Sequence, residues 1–132
     1  MSETTRSHGR LPWPTPDELR DDQRVVYEAI VGGPRGASSP FALTDADGRL
    51  EGPFNAMLVT PAIGAATQEL GAAIRYRTSL SARQREIAIL TLAVLRRSEF
   101  EWYAHERVAL RAGLSRNEIG RASCRERVLL GV

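Results

Sequence analysis

The chain of 132 residues carries 18 basic and 16 acidic residues, and 42% of its residues are hydrophobic. These values are ordinary for one globular domain, so a second domain is not expected. No apolar run approaches the roughly 18 residues that a membrane span needs, and the N-terminus lacks the apolar segment of a signal peptide. We therefore expect a cytoplasmic protein with no membrane partner.

The charge and the single cysteine narrow the function classes further. All 18 basic residues are arginine, and the formal net charge is +2. Residues 119–132 hold three arginines and one glutamate, so the rest of the chain is neutral. This balance argues against nucleic-acid binding. One cysteine, Cys124, permits neither an internal disulfide, nor a Cys-x-x-Cys redox pair, nor a zinc site built on cysteines.

The first third of the chain predicts an arm, a helix and a small hairpin. Residues 1–14 are polar and then proline-rich, which indicates a flexible N-terminal arm. Thr15 as N-cap and the proline after it predict a helix that ends at Gly32-Gly33. A turn at Asp47-Gly48 predicts the hairpin. Its Asp-x-Asp-Gly sequence favours an Asx turn over a calcium loop, because the other EF-hand ligands are missing.

Four more helix starts follow, and together they predict an all-α fold. Thr60-Pro61 begins a helix that runs to about Tyr76. Three Ser-x-x-Glu/Gln capping boxes come next. They begin at Ser81, Ser98 and Ser115. The helix after Ser81 is apolar nearly all round from residue 87 to 95, which predicts a buried central helix.

Two glutamates and a histidine occupy apolar helix faces. At 100° per residue, Glu101 and His105 lie in the middle of the apolar face of the helix that Gly113 ends, and Glu86 lies on an apolar face of the central helix. In an antiparallel hairpin, Glu86 is about 15 Å before the turn and His105 about 11 Å beyond it, at 1.5 Å per residue. The three side chains are therefore predicted to converge.

Each of these residues also has a purely structural interpretation. Glu101 is the third helical residue of a capping box, and a lone inward histidine is more often a hydrogen-bonded core residue than a catalyst. Glu86 has arginine neighbours with which it can pair. Burying a charge costs several kcal/mol unless it is paired, so three such groups in one core favour a functional site. A metal site on the three residues lacks a second histidine and is not expected.

Residues 52–119 contain three motifs that resemble one family. The motifs are Arg-x-Arg-Glu-x-x-x-Leu, Glu-Trp-x-x-His and Ala-Gly-Leu-Ser-x-x-Glu-Ile. They resemble the carboxymuconolactone decarboxylase family, whose fold is shared with the AhpD-like alkylhydroperoxidases. The resemblance implies an AhpD-like helical bundle that assembles into trimers or hexamers and uses no cofactor.

The resemblance also implies which residues of this chain occupy the functional positions of the family. The AhpD-like branch uses a glutamate, a Cys-x-x-Cys and a histidine four residues later. Here the glutamate is Glu86, the histidine is His105, and Ser98 and Glu101 replace the cysteines. A dithiol peroxidase is therefore disfavoured. The decarboxylase branch keeps a Glu-x-x-x-His like that of Glu101 and His105.

Two function hypotheses follow. The first is a cofactor-free lyase or isomerase that acts on a small carboxylated or lactone-like metabolite. In it His105 is the general acid or base, Glu101 orients the imidazole, Glu86 is a second proton relay, and no metal takes part. The substrate would contact Arg83 or Arg85 through its carboxylate and Trp102 as a wall of the pocket. The second hypothesis is a non-catalytic helical oligomer or ligand-binding module.

The end of the sequence departs from the helical pattern. Residues 119–132 lack amphipathic periodicity and resemble the translation of a sequencing adapter. We predict that residues 15–118 form the family-like domain and that residues 119–132 are a non-native tail. The helical bundle is then expected to be incomplete at its C-terminus, and Cys124 carries no functional weight.

Overall fold

The computed structural model describes residues 7–39 and 41–121. The chain divides into two compact units, Met1–Arg77 and Thr78–Val132. Cys124 and the rest of the predicted tail after residue 121 lie outside the described residues, as do residues 1–6 of the predicted arm. The described part has no helix that is long and apolar enough to span a membrane.

The first unit is built on four helices. They are α1 (Asp21–Val31), α2 (Pro34–Ser38), α3 (Pro53–Ala56) and α4 (Pro61–Tyr76). Two-residue strands, β1 (Ser7–His8) and β2 (Leu11–Pro12), pair antiparallel before them. The core of this unit consists of buried apolar side chains from α1, the hairpin segment and α3, namely Leu19, Val26, Ile30, Leu43, Leu50, Phe54 and Leu58.

The predicted first helix is in fact two elements. Thr15 caps a 3-10 turn at Pro16–Glu18, and α1 begins only at Asp21. Leu19 lies between them in extended backbone and is buried in the core. The backbone N–H of Arg20 then donates to the Gln23 side chain at 3.1 Å, which starts α1 anew. Burial of Leu19 therefore decides a break that local spacing does not predict.

The segment after α2 forms the predicted small hairpin. Thr44 and Leu50 form an antiparallel bridge. Asp45 Oδ1 accepts hydrogen bonds from the backbone N–H groups of Asp47 at 3.0 Å and Arg49 at 2.8 Å. The aspartate therefore caps the turn through its side chain, as the Asx-turn interpretation predicted. Residues of the predicted arm contact this unit, since the Trp13 indole N–H donates to the Leu50 carbonyl at 2.7 Å.

The second unit is a hairpin of two helices, α5 (Ala82–Leu95) and α6 (Glu99–Arg111), followed by a helical segment over residues 116–121. Leu90, Ala109, Leu114 and Ile119 form its core. The capping boxes at Ser81 and Ser115 are present, with Gln84 and Glu118 as their partners. The prediction of an all-α fold is confirmed, because the only paired strands in the described residues are two residues long.

The interpretation of α5 as a buried central helix is wrong in this structure. Its buried residues are Glu86, Leu90 and Ala93, whereas Ile87, Leu92 and Leu95 are more than 40% exposed. Within its unit, α5 packs against α6 on one face. An apolar composition therefore did not specify which face would be covered.

Both helices of the hairpin end in Schellman motifs. After α5, the N–H of Ser98 donates to the Ala93 carbonyl at 2.8 Å, and Arg97 adopts the left-handed conformation with φ of 51°. After α6, the N–H of Leu114 donates to the Ala109 carbonyl at 3.0 Å, and Gly113 has φ of 87°. These turns set the direction in which the chain leaves each helix.

Replacing Gly113 by alanine is expected to lower the free energy of unfolding by about 1 kcal/mol, because an L residue is strained at this φ. Urea denaturation measures the change. Gly120→Ala is the matched control, since open space surrounds that position and its backbone is helical. Equal effects of the two substitutions would contradict the role assigned to Gly113.

Candidate active site

Glu86 is the most deeply buried ionisable side chain among the described residues of the second unit, 78–121. It lies in the second turn of α5, on the face that also carries Leu90 and Ala93, and is 0% exposed. The Ser81 capping box sets the start of the helix and hence the face on which residue 86 falls. A carboxylate in this position needs a hydrogen-bonding partner, because burial removes it from water.

His105 supplies that partner from α6. Its Nδ1 lies 2.6 Å from Glu86 Oε2, and its side chain is 13% exposed. The three-residue connection between α5 and α6 makes the helices antiparallel and brings these residues, 19 positions apart, to the same level. The convergence expected from the helix spacing is present for this pair.

Glu101 lies on the other side of the imidazole. Its Oε2 is 3.5 Å from His105 Nε2, and its side chain is 39% exposed. The Ser98 side chain makes no cap hydrogen bond at the start of α6. The predicted capping box of Ser98 and Glu101 is therefore absent, and Glu101 faces the imidazole instead.

The imidazole thus stands between a buried and a more exposed carboxylate. A carboxylate accepts a hydrogen bond from an imidazole N–H, and Glu86 is the closer of the two acceptors. With the proton on Nδ1, the Nε2 lone pair is directed to the side that solvent reaches. In this arrangement the imidazole accepts or donates a proton at Nε2, while the hydrogen bond at Nδ1 fixes the orientation of the ring.

The two arginines predicted to bind substrate have different surroundings. Arg85 Nε lies 3.5 Å from Glu86 Oε1, and its side chain is 14% exposed. Arg83 donates from Nη1 to the Gly113 carbonyl at 2.8 Å and forms an ion pair with Glu118. Arg83 therefore binds the C-terminal turn of α6, and only Arg85 lies beside Glu86.

Trp102 lines a cavity of about 260 Å³ at the turn between α5 and α6. The other lining residues are Ala93, Val94, Arg97, Ser98 and Glu99. Trp102 lies one helical turn from His105, but His105, Glu86 and Glu101 do not line this cavity. Trp102 also packs against the core of the unit.

Arg97 is a cavity residue that the sequence interpretation missed. The structure places it in the left-handed position after α5, where its backbone helps to form the turn and its side chain lines the cavity. A non-glycine residue in this conformation costs about 1–2 kcal/mol. No local sequence signal marks this conformation, since glycine is the usual residue there.

No group of three or more histidine, cysteine, aspartate or glutamate side chains in residues 7–39 and 41–121 is arranged to hold a metal ion.

A comparison with family models identifies the relatives of this hairpin. The model of the carboxymuconolactone decarboxylase family matches residues 61–130, which is more than half of the chain. The chain belongs to the carboxymuconolactone decarboxylase family. No curated protein and no solved structure matches it in the corresponding searches.

The family match begins at the first residue of α4 and covers all of α5 and α6. It therefore contains Glu86, Glu101 and His105, and the predicted family is confirmed. The match also includes residues 119–130, which the sequence interpretation assigned to a tail. Residues 119–121, which include the buried Ile119 and continue the helical segment from residue 116, lie in this part of the family match.

Glu118 makes the stability of the second unit depend on pH. Hydrogen bonds from the backbone N–H and the hydroxyl of Ser115, together with the Arg83 ion pair, lower the pKa of Glu118 from 4.5 to about 2. A carboxyl whose pKa falls on folding stabilises the folded state above its unfolded pKa. That contribution is lost as the pH falls from about 4.5 towards 2.

We expect Glu118→Gln to flatten the dependence of the free energy of unfolding on pH between about 4.5 and 2. Urea denaturation at a series of pH values measures the slopes. The same slope in the variant and the original chain would show that Glu118 does not contribute.

Proposed function

We propose that this chain is a cofactor-free lyase or isomerase that acts by general acid–base chemistry on a small carboxylated or lactone-like metabolite. The observation that carries the proposal is the 2.6 Å contact of His105 Nδ1 with the fully buried Glu86. A buried carboxylate that holds one nitrogen of a partly exposed imidazole leaves the other nitrogen free to exchange a proton with a substrate. Family membership supports the reaction class.

The distances from the two carboxylates to the His105 ring favour an exchange of the roles that the sequence analysis gave to Glu86 and Glu101. Glu86 is the closer carboxylate and is fully buried, so it orients the imidazole and compensates its positive charge when Nε2 is protonated. Glu101 is more distant and more exposed, so it is the residue that passes a proton between Nε2 and solvent. Both carboxylates keep a function in this scheme, but Glu101 becomes the relay.

The proposed chemistry balances without a redox step. In a lyase, the bond to a substrate carboxylate breaks and carbon dioxide leaves. The electron pair remains on the substrate carbon skeleton, where a proton from His105 Nε2 is added. In an isomerase, Nε2 removes a proton from one carbon and returns it to another. A peroxidase that cycles through two thiols is disfavoured, since Ser98 and Glu101 occupy the positions of the family's cysteines.

Arg85 and the cavity at the turn support a small anionic substrate. The Arg85 guanidinium lies beside the Glu86–His105 pair and offers donors that match a carboxylate. The cavity volume of about 260 Å³ is below the range of about 300–1,000 Å³ typical of drug-sized ligands. Arg85 does not line this cavity, so the cavity supports only the small size of the substrate, and the guanidinium supports its carboxylate.

The test is to incubate the purified chain with carboxymuconolactone and related carboxylated lactones in deuterated water, without added metal or cofactor. We expect release of carbon dioxide or incorporation of deuterium at a carbon atom, detected by mass spectrometry. A lack of both reactions across the panel would refute the proposal and leave the non-catalytic alternative. Release that requires an added metal would refute the cofactor-free part.

The second candidate, a helical oligomer or ligand-binding module, is favoured by a separate observation. The hairpin exposes large apolar side chains, namely Ile87, Leu92, Leu95, Phe100 and Tyr103. Contiguous apolar surface favours association, so we propose a homo-oligomer, a trimer or a hexamer. Light scattering after size-exclusion chromatography tests this assembly. If the Glu101→Ala, His105→Ala double variant keeps its oligomer size and stability, these two residues have no structural role.

A further inference from the structure

Arg35 is a half-buried cation in the first unit, outside the family match. It follows Pro34 in α2, and its Nε is buried without a hydrogen-bond partner. Within residues 7–39 and 41–121, no aspartate or glutamate forms an ion pair with it. The other two arginines with a buried Nε, Arg49 and Arg85, each lie within ion-pair distance of a carboxylate. Arg35 is therefore the exception among them.

The surroundings of Arg35 hold its guanidinium in place. Its Cζ lies over the Phe54 ring, 5.1 Å from the ring centroid. One Nη atom lies 3.3 Å from the point that a Cβ on Gly71 would occupy, so the absence of a side chain on this residue of α4 leaves room for the guanidinium. The Phe54 ring and the surface of α4 at Gly71 thus position the guanidinium of Arg35.

The local electrostatics are those of a cation that lacks an anion. Burial has the largest effect and lowers the pKa of Arg35. The electrostatic interaction with Tyr76 raises this pKa, and the nearby positive charge of Arg75 lowers it. Burial of a charge is unfavourable unless the charge is paired, and a cation–π contact compensates only part of the loss. The donors of a guanidinium are arranged to bind two oxygen atoms of a carboxylate or a phosphate.

We propose that Arg35 is the anchor of a second binding site, in the first unit, for a small molecule that carries an oxyanion, either a carboxylate or a phosphate. Phe54 supports the guanidinium from one side, and Arg75 adds positive potential. The residues of this site belong to the first unit, and the proposal does not depend on the proposed reaction. Arg35 and Phe54 lie before residue 61, outside the family match, whereas Gly71 and Arg75 lie inside it.

The test uses the full chain labelled with ¹⁵N and follows the Nε–H signals of its arginines by NMR. Arg35→Lys identifies the signal of Arg35 by its loss. Sodium acetate and sodium phosphate are titrated separately, with sodium chloride holding the ionic strength constant. We expect at least one of them to shift the Arg35 signal saturably. A response to acetate alone indicates a carboxylate ligand, and a response to phosphate alone indicates a phosphorylated one.

Calorimetric titration of Arg35→Met with the same anion is expected to show binding at least tenfold weaker. The matched control is Arg77→Gln, because Arg77 is an exposed arginine that forms an ion pair with Glu69, and it should bind as the original chain does. A signal that neither anion shifts would overturn the proposal, even if Arg35→Met does not fold. Unchanged affinity in a folded Arg35→Met would also overturn it. A signal that moves on dilution of the protein alone would assign the anion to a second copy of the chain and refute a small-molecule site.

Discussion

Replacing His105 by alanine is expected to lower kcat/KM for a lactone carboxylate by about a hundredfold to ten-thousandfold. The variant loses the only group that the proposed mechanism gives for proton transfer to carbon. The substitution also removes the 2.6 Å contact with the fully buried Glu86, so a loss of stability is expected beside the loss of activity. Steady-state turnover of the substrate found in the deuterium experiment provides the measurement.

The matched control for this experiment is Glu106→Gln, on the same helix and next in sequence. Glu106 has no part in the proposed chemistry, so this variant should keep the original activity. A His105→Ala chain with undiminished turnover would refute general acid–base catalysis by the imidazole. Circular dichroism of both variants shows whether α6 is still folded.

Replacing Glu86 by glutamine is expected to reduce both stability and activity. Glutamine keeps the volume of the side chain but introduces an NH₂ group into a position that is 0% exposed. A buried polar group without a partner costs about 1–3 kcal/mol, so we expect the free energy of unfolding to fall by that amount. Turnover is also expected to fall, because the amide cannot compensate the positive charge of a protonated imidazole.

Glu101→Gln is the matched control, because the same substitution removes a carboxylate beside the same imidazole at a more exposed position. This carboxylate is 39% exposed and 3.5 Å from the ring, so the substitution should change the free energy of unfolding by no more than about 0.5 kcal/mol. Urea denaturation of both variants provides the two values. Equal destabilisation would contradict the assignment of Glu86 as the buried, orienting carboxylate.

A double-mutant cycle on Glu86 and His105 measures the contact itself. Residues in direct contact show coupling energies of about 0.5–3 kcal/mol, and distant residues add independently. We expect coupling in this range for Glu86→Gln combined with His105→Ala. Additive effects would mean that the 2.6 Å contact contributes nothing to stability.

The candidate site was predicted in part from helix spacing. Placing residues at 100° intervals put Glu86, Glu101 and His105 on apolar helix faces. In the structure, the carboxylates of Glu86 and Glu101 both lie within 3.5 Å of the His105 imidazole. Spacing did not show which carboxylate binds which nitrogen, because that depends on the level at which α5 and α6 face each other. It also did not separate Arg83 from Arg85, since the position of Gly113 in space decides what Arg83 contacts.

The capping boxes show where local reasoning holds and where it fails. The boxes at Ser81 and Ser115 form as predicted, and Glu118 keeps its place in the box while it also forms an ion pair with Arg83. Glu101 is within reach of an imidazole, and Ser98 follows a left-handed residue in a Schellman turn, so the third box is absent. Identical local patterns therefore had different outcomes.

The sequence by itself determined the helices from residue 61 to 111, the all-α class and the family, since periodicity, caps and motifs are properties of neighbouring residues. The tertiary structure decided the break at Leu19, the exposed face of α5, the turn at Arg97 and the pairing of His105 with Glu86. Each of these depends on which distant side chains share a buried space. Local propensities differ by less than about 1 kcal/mol per residue, whereas burial of one large apolar side chain contributes about 1.5–3 kcal/mol, so packing overrides local preference where the two disagree.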